Sequence, residues 1–149
     1  MPNRIEAILG PSRHIAQPHL AMAVDGVSLD IVLGVDGLVS SLLGWFLDRN
    51  EIVIPWQRIL PDDGCTSYAP VLICPDDLDL HCSVVMVEVV AEGDLIRWVR
   101  LGYDATPRGA VGSWIRWQPG WGPFEFARSE YEKCLAPFRA GIDETAQRP

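Results

Sequence analysis

No lysine or arginine occurs between Arg58 and Arg97. The same stretch, Ile59 to Ile96, holds eight acids: Asp62, Asp63, Asp76, Asp77, Asp79, Glu88, Glu92 and Asp94. Outside it twelve acids balance twelve bases, so the whole net charge of −8 arises in this one segment. So acidic a chain is excluded from gripping nucleic acid through its phosphates, which needs a basic face, and from adsorbing to anionic membrane surfaces. Long apolar runs are missing too, none approaching the roughly 18 residues that cross a bilayer. Glu6, with Pro2, Pro11 and Pro18, interrupts the N-terminal stretch where a secretory signal needs a continuous apolar run. A cytoplasmic protein is expected, its four cysteines reduced; a Cys74–Cys82 disulfide is conceivable in an exported chain.

Catalytic signatures are equally scarce. There is no Gly-rich phosphate loop, no G-x-S-x-G and no H-E-x-x-H. These absences point to a non-enzymatic chain that uses no cofactor.

What is present describes an ordinary globular chain. With 149 residues, 48% of them hydrophobic and 21% charged, it is long enough to bury one core. We read residues 1–149 as a single domain, with 1–18 a loose lead-in and 141–149 a frayed tail. His19 to Val24 reads as a short strand, followed by Asp25-Gly26, a dipeptide suited to a tight turn. Val27 to Leu33 fits either a return strand or a short helix capped by Ser28. The apolar spacing of Leu38, Val39, Leu42, Leu43, Trp45 and Phe46 predicts a helix near 38–48. Glu51 to Trp56 reads as an edge strand because of Pro55. Ala69 to Cys74, Ser83 to Val90 and Leu95 to Leu101 follow as strands, the middle one rich in β-branched residues and buried on both faces. Ala91 to Asp94 makes a hairpin turn, Ser113 to Trp117 is a last strand, and a C-terminal helix is predicted near 128–138, ending around Pro137. This order predicts an α+β fold with a single mostly antiparallel sheet, its helices on one face.

The chemistry-bearing residues cluster in CPDDLDLHC. Zinc usually takes its four ligands as close pairs. Here eight residues separate Cys65 from Cys74 and six separate Cys74 from His81. His81 and Cys82 would face opposite ways on a strand, so a metal site over Cys74, His81 and Cys82 needs irregular backbone. Buried thiols serving as packing is the reading that spacing favours. Asp77 and Asp79 resemble the opening of a calcium loop but lack its glycine and closing glutamate. The acids in connections and turns, Asp62, Asp63, Asp76, Asp77, Asp79, Glu92 and Asp94, form a surface suited to a basic protein partner. Trp117 and Trp121, beside a turn-rich GWGP stretch, are the candidate apolar anchors.

Two passages, WQRILPDDG…PVLICPDDLDLHCSVVMVEVV…IRWVRLGYD and FEFARSEYEKCLAPF, resemble small uncharacterised stand-alone bacterial proteins, some of the toxin-immunity type. That resemblance implies a protein that neutralises a basic toxin by presenting carboxylates where phosphate would bind. The leading expectation is therefore an immunity-like acidic binding protein acting through the 62–94 region. Its rivals are a small metal-dependent or hydrolytic enzyme using the Cys, His and Asp residues near 74–82, and an oligomeric structural protein.

Overall fold

Asp25 and Gly26 both take positive φ, 51° and 85°, the backbone that a two-residue hairpin turn requires. In the computed structural model, which describes residues 2–107 and 109–147, this turn joins strands β2 (His19–Val24) and β3 (Val27–Ser28). The Asp25 carboxylate accepts bonds from the Asn3 side chain and the Arg4 amide, both at 2.8 Å. Those bonds steer residues 5–10 onto the hairpin. Ile5–Gly10 is consequently strand β1, paired with β2 from Ile5 opposite Val24 to Gly10 opposite His19. Within the expected loose lead-in, residues 5–10 are thus a strand, while residues 11–18 lack regular structure. Val27 to Leu33 divides between the two alternatives: β3, then the short helix α1 (Leu29–Leu33).

The helix predicted near 38–48 does not form. Val39–Ser40 is strand β4, Ser41–Leu43 is a 3₁₀ turn capped by the Ser40 hydroxyl, and Gly44 ends it at φ 73°. The apolar periodicity there serves two cores: Leu42 packs on one face of the large sheet, Val39 and Phe46 on the other. Conversely, the predicted strand over Glu51–Trp56 is helix α2 (Val53–Arg58), preceded by a 3₁₀ turn (Arg49–Glu51) that Asp48 caps. Pro55 falls in the first turn of α2, where an amide has no intrahelical partner to lose.

Strands β5 (Thr66–Ile73), β6 (Val84–Glu92), β7 (Leu95–Asp104) and β8 (Ile115–Trp117) lie in sequence beside β4, all antiparallel. A sixth, β9 (Phe124–Ala127), which the sequence reading missed, shares the outer edge of β7 with β8. Strand β7 is long enough to pair Leu95–Trp98 with β9 and Gly102–Asp104 with β8. Gly102 is required there, since a Cβ would sit 2.3 Å from the Arg116 carbonyl oxygen. Pro70 is tolerated in β5 because β4 reaches only Leu72 and Ile73, and a register shift follows Pro70.

The predicted α+β class and antiparallel sheet are therefore present, with a three-stranded sheet beside the six-stranded one. Strand β6 shows why both faces are covered. Val85, Val87, Val89 and Ala91 enter a core shared with the small sheet and helix α3 (Arg128–Gln147); Val84 and Met86 enter a second core on the other face. Helix α3 continues through Pro137, whose ring is exposed. Burial of Tyr131, Cys134, Leu135 and Phe138 outweighs the roughly 3 kcal/mol that an interior proline costs. Of the expected frayed tail, residues 141–147 are helical, and 148–149 lie outside the described residues.

Trp98 and Tyr131, both fully buried, form a hydrogen-bond relay. The Trp98 indole donates to the Tyr131 hydroxyl at 3.3 Å, which donates to the Ile59 carbonyl at 2.6 Å. Tyr131→Phe leaves one donor and one acceptor buried and unpaired, and should lower stability by about 2–4 kcal/mol in urea unfolding.

Candidate metal centre

Ile73 pairs with Val84, so residues 74–83 close a loop at that end of the β5–β6 ladder. Pro75 cannot continue the ladder. Asp79 organises the turn: its Oδ1 accepts the amides of His81 at 2.9 Å and Cys82 at 3.2 Å. The Leu78 amide donates back to the Cys74 carbonyl at 3.1 Å, with Leu78 itself at φ 49°. Leu80 is buried and Leu78 partly so, both in the second core, and the Leu47 amide donates to the Leu78 carbonyl. The loop is thus irregular yet anchored.

Its fold brings three side chains of metal-ligand type together. Cys74 Sγ, an Asp77 carboxylate oxygen and Cys82 Sγ all lie within 4.8 Å of one another. Cys74 is half-buried, while Asp77 and Cys82 are exposed. The Cys82 thiol is held above its ordinary range, first by its hydrogen bond to Asp77, with the Ser83 amide acting in the opposite sense. An activated cysteine nucleophile shows the reverse, a lowered pKa beside a base. His81 is not that base, for its Nε2 turns to Glu51 Oε1 at 3.5 Å.

Glu51 is the functional candidate that the sequence reading passed over. It is 9% exposed, and its Oε2 is buried with no partner. Burial raises its carboxyl pKa, the neighbouring Asp48 and Asp79 raise it further, and His81 opposes them. The one sequence signal was an acid opening the otherwise apolar run EIVIPW. Glu51, Leu80, His81 and Cys82 line one side of a cleft of about 590 Å³, faced by Asp104 and Thr106. Asp104 is occupied in shaping its own loop, accepting from Thr106 and the Gly112 amide. A smaller cavity of about 260 Å³ between the sheets contains Asp30, whose two oxygens are taken by Ser28 and Gly37.

The acidic segment does not stay together. Asp62, Asp63, Glu92 and Asp94 lie at one end of the β5–β6 ladder, whereas Asp76, Asp77 and Asp79 lie at the other. Eight residues of β5 separate them, roughly 25 Å at the usual rise of a strand. Arginines accompany the first group: Arg128 is 3.9 Å from Asp63 and Arg97 is 3.4 Å from Glu92. Cys65 belongs to that end too, away from the other loop thiols. Glu88 pairs with Arg100 across β6 and β7 at 2.9 Å. Trp117 is half-buried under the Arg100 guanidinium, 4.1 Å from its ring, and Trp121 packs on Tyr103. Trp114, 68% exposed, is the tryptophan that is open to solvent.

The chain matches no protein-family model, no curated protein and no solved structure. No helix among the described residues is long and apolar enough to cross a membrane. The expectation of a non-enzymatic chain is corrected by the loop itself. Cys74, Asp77 and Cys82 have a geometry able to chelate a metal ion, and Cys82 also lines the cleft. The thiols of this loop are not the buried packing groups expected, Cys74 being half-buried and Cys82 exposed.

Two measurements check this description. Cys65 and Cys82 are exposed and should react promptly with an aromatic disulfide reagent. Cys134, whose thiol is pushed up to about 12 by burial, should react only after unfolding. Because the native Glu51 carboxyl holds its proton more tightly than the unfolded one, stability falls as pH rises through the interval between the two pKa values. Glu51→Gln should therefore raise the urea midpoint near neutral pH, with the gain fading below about pH 4, where the unfolded carboxyl is itself protonated.

Proposed function

We propose that the chain is a small metal-dependent hydrolytic enzyme, with zinc held by Cys74, Asp77 and Cys82. The observation that carries this reading is the convergence of two thiols and a carboxylate within 4.8 Å, one of them, Cys82, at the wall of a cleft. Zinc bonds of about 2.3 Å to sulfur and 2.0–2.2 Å to oxygen set these ligand atoms roughly 3.5–3.8 Å apart in a tetrahedron. Small side-chain rotations reach that spacing. Two sulfurs disfavour calcium and magnesium, which want oxygen. Asp79, the other acid of the suspected calcium loop, spends an oxygen on backbone amides.

Three protein ligands leave one position for water or substrate, the pattern of catalytic zinc, whereas structural zinc has four. Zinc held there supplies Lewis-acid polarisation of a carbonyl or phosphoryl oxygen. Glu51, lining the same cleft, has a carboxylate oxygen free to accept a proton, and His81 is placed to receive it from Glu51 or to hold Glu51 ionised. A reducing cytoplasm, the compartment we assign, keeps both thiols available.

The test is metal analysis of the full chain after zinc loading and dialysis. One equivalent of zinc is expected, lost in Cys74→Ser and in Cys82→Ser, weakened at least about tenfold in Asp77→Asn, and retained in Cys65→Ser. Zinc-loaded protein should hydrolyse p-nitrophenyl acetate faster than metal-free protein, and Glu51→Gln should cut that rate by about 10²-fold while keeping its zinc. A chain that retains no zinc, or equal zinc in Cys82→Ser, overturns the proposal.

A further inference from the structure

We infer that Cys74 and Cys82 form a peroxide-oxidisable dithiol, so that the loop has two exclusive states, metal-bound and disulfide-closed. The coupling rests on the zinc reading above; the dithiol rests on its own geometry. Both sulfurs belong to one cluster no wider than 4.8 Å. They flank the end of an antiparallel ladder, Cys74 directly after Ile73 and Cys82 two residues before Val84. Continued past Ile73, the register sets Cys74 opposite Ser83, so Cys82 is one residue from the opposed position, and a disulfide accepts Cα separations of about 4.4–6.8 Å. The intervening backbone is irregular, so side-chain rotation can close the remaining gap without unpicking β5 from β6. The other two cysteines are excluded by position: Cys65 is at the far end of the ladder, and Cys134 is 2% exposed on α3.

The exposed thiol of Cys82 is the entry point for a hydroperoxide. The Cys82 sulfur attacks one peroxide oxygen as its thiol proton is lost. An S–O bond forms, the O–O bond breaks, and hydroxide leaves, taking up the thiol proton as water. The product is a sulfenic acid. The Cys74 sulfur then attacks the Cys82 sulfur, forming the S–S bond and expelling a second hydroxide, which leaves as water with the Cys74 proton. Two electrons pass from the sulfurs to the peroxide, and two thiols become one disulfide. Neither sulfur is then an anionic ligand, so Asp77 alone cannot hold the metal. The closed loop also carries His81, which contacts Glu51 in the cleft wall.

The experiment treats the zinc-loaded full chain with hydrogen peroxide and follows zinc release with a chromogenic chelator, while peptide mapping identifies any disulfide. The expected result is one equivalent of zinc released with one Cys74–Cys82 disulfide, both reversed by a phosphine reductant plus zinc, and unchanged in Cys65→Ser. Zinc-loaded protein that gives no Cys74–Cys82 disulfide, or that releases zinc only through sulfinic acid at Cys82, overturns the inference and leaves the zinc reading standing. A chain that never takes up zinc, yet forms the disulfide, overturns the coupling together with the zinc reading. In Cys74→Ser, peroxide should leave Cys82 as a persistent sulfenic acid, trapped by a dione reagent; an untouched Cys82 in that variant also counts against the mechanism.

Discussion

The pairing of Ile73 with Val84 is the constraint on which the candidate centre depends. Both residues are about 1% exposed and face the second core, so the ladder end is held by burial as well as by backbone bonds. Everything between them must turn within ten residues, and that compression forces Cys74, Asp77 and Cys82 toward one point. The acids and thiols need no attraction for one another to meet. Their approach is imposed by the strands, and the free energy comes from apolar burial on β5 and β6.

Within the loop, the two nearby aspartates have different tasks. Asp79 serves the backbone, satisfying two amides that would otherwise be unpaired in an irregular turn. Asp77 faces the thiols and has no arginine or lysine partner among the described residues. Elsewhere on the sheet, acids are matched with cations, as Glu88 with Arg100 and Glu92 and Glu125 with Arg97. A carboxylate left without a cation beside two ionisable thiols is a site that a divalent ion would relieve. Glu51, buried with an unpaired oxygen in the adjoining cleft, departs from good packing in the same neighbourhood, and such departures gather where function is placed.

Much of the large sheet was legible in the sequence. An apolar run marked β5, a β-branched run marked β6 and a hairpin return marked β7, and the Asp25-Gly26 turn was readable because only certain residues accept positive φ. The failures have separate causes. Residues 38–48 carry a helical spacing of apolar groups because the chain there lies between two cores and supplies both. Glu51–Trp56 looks extended, but Pro55 is as welcome in a helix's first turn as at a strand edge. The strands β4 and β9, at two and four residues, are too short to show a period of their own and exist because a longer neighbour offers its edge.

The sequence by itself determined the charge, the location of eight acids in one segment, the alternation that builds β6, and the identity of the loop's potential ligands. It could not determine which of them meet. Linear clustering suggested one acidic face, yet an antiparallel hairpin sends neighbours in sequence to opposite ends of a strand. Nor could the sequence say where His81 and Cys82, adjacent along the chain, would point; the turn around Asp79 directs one at Glu51 and the other at Asp77. Side-chain direction in an irregular loop follows from backbone dihedrals and from what the loop packs against, and those are settled only when the two cores close.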